Sequence, residues 1–146
     1  MAGGDTTPPA DARRSFVGSV AGIVAACEWL EATCHSAGVD RDTRYAVQVC
    51  AEELLGNIIH HGGRPSPSIE VDVAFSPARI TLTVEDDGPP FDVSAALPHW
   101  IDRALDAIEP GGLGIQLIHS FASHIGYQRT GLGNRVILTF DDRREG

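Results

Sequence analysis

The chain has 146 residues, 42% of them hydrophobic and 21% charged, so its length suits one folded domain with a core of its own. Its formal net charge is −9, which argues against a nucleic-acid partner because phosphate backbones are met by clustered cations. No apolar run is long enough to cross a bilayer, so we expect no membrane partner. All 11 basic residues are arginine, which excludes phosphate-binding motifs that require lysine, such as Walker A.

The ends of the chain are polar and carry no apolar core. We therefore expect a disordered tail over residues 1–12, a folded domain over 13–142 and a charged tail over 143–146. The chain has three cysteines in apolar helical segments, and none shows the CxxC spacing of zinc or redox sites. This pattern predicts reduced, buried thiols in a cytoplasmic protein, at Cys27, Cys34 and Cys50.

The first third of the chain shows helical spacing of apolar residues. A short edge strand is predicted over 13–17 and a helix over about 18–37, ending near Gly38. Asp40 is the predicted N-cap of a second helix, whose apolar stripe stops at Gly62-Gly63.

The remainder alternates between strand and loop patterns. Two neighbouring antiparallel strands are predicted over 69–75 and 80–84, and a closing hairpin pairs 125–130 with 136–140. Between them, 91–110 is irregular, with a short helix predicted around 99–108, and is typical of a lid over a ligand. A third main helix follows from Leu113. This order predicts an α+β two-layer sandwich, with a mixed, mostly antiparallel sheet and helices on one face.

Three short motifs carry the candidate chemistry, and the first is Glu53-Leu54-Leu55-Gly56-Asn57 on the second helix. Glu53 and Asn57 are four residues apart, so they lie one turn apart on one face. An asparagine carbonyl suits one position around Mg²⁺, and a nearby carboxylate suits deprotonation of an attacking hydroxyl. Glu52 is expected on the helix surface. A solvated polar face with an incidental glycine would show the same pattern.

The second motif is Asp86-Asp87-Gly88-Pro89-Pro90, which follows the strand predicted over 80–84. Gly88 permits a tight turn and the close approach of a flat ring. A half-buried Asp86 carboxylate would accept from the exocyclic amine of adenine but would face the carbonyl oxygen of guanine. The motif favours an adenine site, although the same residues also form a favourable acidic turn.

The third motif, Gly111-Gly112-Leu113-Gly114, opens a helix. Backbone N–H groups stay free at such a helix start and lie at the positive end of the dipole, so they can bind an anion. Leu117 stands where the Rossmann fingerprint needs its third glycine, which excludes that motif. A flexible glycine entry is the alternative for this motif alone. The order and spacing of all three motifs favour a site for ATP and Mg²⁺.

The three motifs resemble the N box and the two glycine boxes of the GHKL ATPases, which include histidine kinases, gyrase, Hsp90 and MutL. Residues 86–92, DDGPPFD, and 111–118, GGLGIQLI, are most similar to the anti-sigma-factor serine kinases of the RsbW type. The resemblance covers roughly residues 14–140 and implies a Bergerat fold that binds ATP and Mg²⁺. A protein of this type sequesters a sigma factor and phosphorylates a STAS-type anti-sigma-factor antagonist on serine or threonine. Homodimerisation is common in the family.

The resemblance also implies a role for each matching residue. It makes Glu53 the catalytic base, Asn57 the magnesium ligand, and Asp86 with Gly88 the adenine contacts. It further assigns phosphate or nucleotide contacts in the second glycine box and the last hairpin, at Gly112, Leu113, Gly114 and Asn134.

Two other functions are compatible with these motifs. A non-catalytic module would bind ATP and a partner without transferring phosphate. A detached histidine-kinase catalytic domain would need a phosphoacceptor histidine followed by an acidic residue, and none of the six histidines precedes Asp or Glu. Since Glu53 and Asn57 are both present, the sequence favours a catalytic protein.

Overall fold

The fold is known from a computed structural model, which describes residues 11–61, 67–94, 112–131 and 133–141. Three helices and five strands confirm the predicted α+β class. In chain order they are β1 (Ala12–Val17), α1 (Val20–Ser36), α2 (Arg41–His61), β2 (Ser68–Ser76), β3 (Arg79–Asp86), α3 (Gly112–Phe121), β4 (His124–Arg129) and β5 (Asn134–Asp141).

Local signals define the junction between the first two helices. Gly38, just beyond α1, adopts φ of 82°, a left-handed conformation that glycine enters without steric cost. The predicted N-cap at Asp40 is confirmed, because its Oδ1 accepts from the Thr43 backbone N–H at 2.9 Å. At the other end of α1, Ser19 is the N-cap, and its Oγ accepts from Gly22 N at 3.1 Å.

The five strands form one sheet in the order β1-β2-β3-β5-β4. All four pairings between the described strands are antiparallel. Strands β3 and β5 are neighbours in the middle of the sheet although α3 and β4 separate them along the chain. This arrangement brings the end of β3 beside the start of β5, where the second motif meets the last hairpin.

The three helices cover the sheet face on which the apolar side chains of β2, β3 and β5 lie in register. Antiparallel register places directly paired residues on the same face, so apolar rows run across three strands. The rows are Val71, Val84 and Val136; Val73, Leu82 and Leu138; and Phe75, Ile80 and Phe140. Leu30, Leu54 and Ile118 pack into the same core from α1, α2 and α3.

The three cysteines are free thiols, as predicted, with Cys34 and Cys50 buried and Cys27 half-buried. Burial raises the pKa of Cys27 to about 11, with a smaller contribution from Glu52. Burial, and secondarily the charge of Glu53, raises the pKa of Cys50 to about 12. Both thiols are therefore neutral at physiological pH and poor nucleophiles.

Several predicted segments lie outside the described residues. They are the lid over 91–110 beyond Ser94, its short helix around 99–108, Gly111, residues 1–10 of the first predicted tail and the whole of the second, 143–146. Among the residues that the structure does describe, no helix is long and apolar enough to span a membrane.

Candidate functional site

The sheet register brings Asp86 and Asn134 together. Asp86 at the end of β3 pairs with Asn134 at the start of β5, and on its other side with Ile69 of β2. Asp86 and Asn134 each lie two residues from the apolar pair of Val84 and Val136 on their strands. Side chains two residues apart lie on the same face of a sheet, so Asp86 and Asn134 lie on the face covered by helices. Asn134 is only 3% exposed, and Asp86 is half-buried.

One oxygen of the Asp86 carboxylate is already occupied by the protein. Oδ1 accepts from the backbone N–H of Gly88 at 2.8 Å and from Nδ2 of Asn134 at 3.1 Å. Among the described residues, Oδ2 has no hydrogen-bond partner. The turn after β3 therefore fixes the carboxylate and leaves one acceptor oxygen available to a ligand.

Asp86 and Asn134 border a narrow cleft between α2 and the end of the sheet, with a cavity volume of about 10 Å³. The rest of its lining is apolar and comes from α2, the segment after β3, and β5. These residues are Leu54, Ile58, Pro89, Phe91, Val93 and Val136. An apolar lining with a few fixed polar groups has the chemistry of a small-molecule site and of the purine site that the second motif predicts, and a purine must widen the cleft to enter it.

The segment that follows Asp86 is held in place from two sides. On the hairpin side, the Arg129 guanidinium donates to the Gly88 carbonyl at 2.8 Å. On the helix side, His119 Nε2 of α3 lies 3.0 Å from the carbonyl oxygen of Val93, itself buried. The wall of the cleft is therefore anchored to both β4 and α3.

The first motif lies on α2, next to the residues of this helix that line the cleft. Glu53 is half-buried and makes no hydrogen bond or ion pair with any described residue, whereas Asn57 is buried. Glu52 is exposed, as predicted. A Cβ added to Gly56 would meet nothing within 4 Å among the described atoms, so the packing itself does not require glycine there.

Asn57 has the properties expected of a residue that binds a ligand. Its side chain is 2% exposed, and its Nδ2 is the buried side-chain polar atom without a hydrogen-bond partner among the described residues. An unsatisfied buried polar group costs about 1 to 3 kcal/mol. Rotation of the amide by half a turn directs the carbonyl oxygen the same way, and a neutral oxygen donor fits one Mg²⁺ position beside phosphate and water oxygens.

The second glycine box begins α3. Gly112 is the first residue of the helix, and Leu113 and Gly114 follow in its first turn. The first N–H groups of any α-helix lack partners inside the helix, so this end can bind an anion. Gly111 lies outside the described residues.

The close approach of the last hairpin to Asp86 depends on Gly133. A Cβ at this position would lie 1.7 Å from the Asp86 carbonyl oxygen. We expect Gly133→Ala to lower the free energy of unfolding by about 1 to 3 kcal/mol, because the two backbones must separate. Chemical denaturation measures the change. Gly131→Ala is the matched control, since a Cβ there meets nothing within 4 Å; equal losses in both variants would contradict this explanation.

Sequence reasoning missed two residues that support the cleft, Tyr127 and Arg129 of β4. The Tyr127 hydroxyl donates to Oδ1 of Asn134 at 2.5 Å, and Arg129 reaches Gly88 as described above. Neither belongs to a recognised motif. The only usable signal in the sequence was the alternation of side chains along β4, which puts Tyr127 and Arg129 on one face of the strand. In the structure they pair with Val136 and Asn134 of β5 and lie on the same face of the sheet.

Comparison with known proteins identifies the class. Residues 16–140 match the family described as the histidine kinase-like ATPase domain, and the chain belongs to this family, as its three motifs predicted. The chain is similar to the serine/threonine-protein kinase BtrW of Bordetella bronchiseptica, with 33% identity over 116 residues. That match covers 76% of this chain and 80% of BtrW.

Solved structures of histidine kinases are also similar to this chain. A blue-light activated histidine kinase of Erythrobacter litoralis matches 70% of the chain with 21% identity and a TM-score of 0.49, and the chain spans 31% of that protein. The mycobacterial sensor histidine kinase MprB matches 92% of the chain with 13% identity and a TM-score of 0.47, over 100% of the solved MprB chain.

Proposed function

We propose that this chain is an anti-sigma factor and an ATP-dependent serine/threonine protein kinase. It would sequester a sigma factor and use Mg-ATP to phosphorylate a STAS-type antagonist, which then fails to displace the sigma factor. The family membership and the similarity to BtrW, a serine/threonine-protein kinase, support this proposal. A cytoplasmic location belongs to the same proposal.

The observation that carries the proposal is the state of the first motif. Glu53 and Asn57 lie on one face of α2, beside an apolar cleft, and neither side chain makes a hydrogen bond with a described residue. Buried polar groups are normally hydrogen-bonded, and Asn57 is buried. An unpaired buried amide with a carboxylate one helical turn away is what a nucleotide site needs before its ligand arrives.

Each part of the site then has a distinct task. The apolar cleft holds the adenine ring, and Asp86 Oδ2 accepts from its exocyclic amine. The first turn of α3, with Gly112 and Gly114, supplies backbone N–H groups to the phosphates. The Asn57 carbonyl would hold Mg²⁺, which when bound neutralises charge on the phosphates. Glu53 takes the proton of the attacking serine or threonine hydroxyl.

The proposal is tested with the full chain, Mg-ATP and the STAS-domain proteins encoded near its gene. After incubation, mass spectrometry locates any phosphate on the candidate antagonist, and omission of ATP is the control. We expect one antagonist to gain phosphoserine or phosphothreonine. A pull-down of sigma factors encoded nearby tests the second half of the proposal, and the unmodified antagonist should release the bound sigma factor whereas its phosphorylated form should not.

The possible outcomes separate the rival functions. ATP binding without transfer to any antagonist would overturn the kinase and favour a non-catalytic ATP-binding module. Phosphate found on histidine would instead favour a histidine-kinase catalytic domain. Transfer to a STAS protein without any sigma-factor binding would retain the kinase and remove the anti-sigma role.

A further inference from the structure

The amide of Asn134 has no capacity left for a nucleotide. Its Nδ2 donates to Asp86 Oδ1 at 3.1 Å and to the Pro89 carbonyl at 2.8 Å, and the Gly88 carbonyl is a more distant acceptor at 3.5 Å. Its Oδ1 accepts from the Phe91 backbone N–H at 3.2 Å and from the Tyr127 hydroxyl. A side-chain amide has two N–H donors and two acceptor lone pairs, so the four shorter bonds already use all of them. A residue saturated in this way acts on a ligand through its partners.

The orientation of this amide matters for Asp86. If the amide were rotated by half a turn, its carbonyl oxygen would face the carboxylate oxygen, and two acceptors would repel each other. The Phe91 N–H can only donate and the Pro89 carbonyl can only accept, so these two backbone groups set the observed orientation, in which the Tyr127 hydroxyl donates to Oδ1. Tyr127 supplies the shorter of the two hydrogen bonds to Oδ1.

We propose that Tyr127 is a positioning residue for adenine recognition, acting through Asn134 on Asp86. The hydroxyl holds the Asn134 amide, the amide occupies Oδ1 of Asp86 together with Gly88 N–H, and Oδ2 remains the acceptor for the purine amine. The inference rests on the proposed ATP site. It makes Tyr127, a residue outside the three motifs, a contributor to the selectivity of that site for adenine.

Tyr127→Phe removes the hydroxyl and keeps the ring, so it measures the contribution of the hydroxyl alone to nucleotide binding. The ring of Tyr127 is half-buried and packs against the core, and phenylalanine retains that packing. We expect ATP affinity to fall roughly fivefold, the effect of one lost hydrogen bond of ordinary strength, and GTP affinity to stay unchanged. The ATP-to-GTP affinity ratio should therefore narrow by the same factor. Isothermal titration with Mg-ATP, and competition with Mg-GTP, measure both affinities.

A matched control is available because the chain has two tyrosines. Tyr45 lies on α2, is 63% exposed and stacks edge-on against Phe121, outside the cleft. Tyr45→Phe removes the same hydroxyl and should leave both affinities unchanged. The affinity ratio does not depend on the folded fraction, because both nucleotides bind the same folded population, so mild destabilisation leaves the test valid.

A double-mutant cycle tests the route through Asp86. In an Asp86→Asn background, Tyr127→Phe should change ATP affinity by less than about twofold, since coupled residues are not additive. Equal losses for ATP and GTP, or additive effects in the cycle, would overturn the proposal.

Failure of the proposed function has a different signature. If the wild-type chain does not bind ATP, or if Asp86→Asn leaves binding unchanged, the ATP site itself is wrong and this inference falls with it. If ATP binds and Asp86→Asn weakens it, but Tyr127→Phe behaves like Tyr45→Phe, only the role of Tyr127 is refuted.

Discussion

Asp86→Asn should weaken ATP binding by about 1 to 3 kcal/mol, which is roughly 5- to 150-fold in Kd. Asp86 must accept on both oxygens, because Oδ1 already receives the N–H groups of Gly88 and Asn134. Asparagine has one acceptor oxygen. If that oxygen takes the place of Oδ1, its NH₂ group faces the adenine amine; in the opposite orientation, the NH₂ group faces two donors.

The same geometry predicts a change of specificity in Asp86→Asn. An NH₂ group in the place of Oδ2 suits the carbonyl oxygen of guanine, so GTP affinity should hold or rise while ATP affinity falls. Titration calorimetry with both nucleotides measures this. Asp87→Asn is the matched control, since it removes the same charge one residue away, where the carboxylate accepts from Ser68 N–H. Unchanged ATP affinity in Asp86→Asn would refute the adenine assignment.

Glu53→Gln should reduce phosphoryl transfer to the antagonist by about 10²- to 10⁴-fold, the usual contribution of a positioned general base. Glutamine keeps the size of the side chain but cannot take the proton from the attacking hydroxyl. Glu53 is half-buried beside Asn57 and makes no hydrogen bond with a described residue, so the substitution breaks no hydrogen bond there. ATP affinity should therefore change little. Single-turnover transfer at saturating Mg-ATP measures the rate.

The control for this prediction lies one residue earlier on α2. Glu52 is exposed, and Glu52→Gln should transfer phosphate at the wild-type rate. A Glu53→Gln protein that transfers at the wild-type rate would exclude Glu53 as the base. A variant that loses ATP binding along with transfer would instead place Glu53 in nucleotide binding.

The sequence predicted the elements well because their signals are local. Helical spacing and the Asp40 cap predicted α2, and alternation predicted β2, β3 and the last hairpin; the structure confirms each. The Ser19 cap of α1 had an equally local signal, since a serine precedes the first helical residue, Val20, but the helix was predicted to begin two residues before Val20.

The pairing of Asp86 with Asn134 could not be predicted in the same way. The two residues are 48 apart in sequence, and their contact depends on β3 and β5 being neighbours in one register. A one-residue slip would turn one of the two to the opposite face of the sheet. The resemblance made Asn134 a candidate nucleotide contact, whereas its hydrogen bonds to the protein use its full capacity and favour a role through Asp86.

The most direct test of the ATP site is an amide NMR titration of the ¹⁵N-labelled chain with Mg-ATP. The backbone signals of Gly88 and Phe91 and the side-chain NH₂ pair of Asn134 report on the cleft wall and on the partner of Asp86. We predict saturable shifts of these three signals with ATP, and much smaller shifts at the same concentration of GTP. Saturable ATP shifts confined to residues away from the cleft, or equal shifts with both nucleotides, would contradict an adenine site at Asp86.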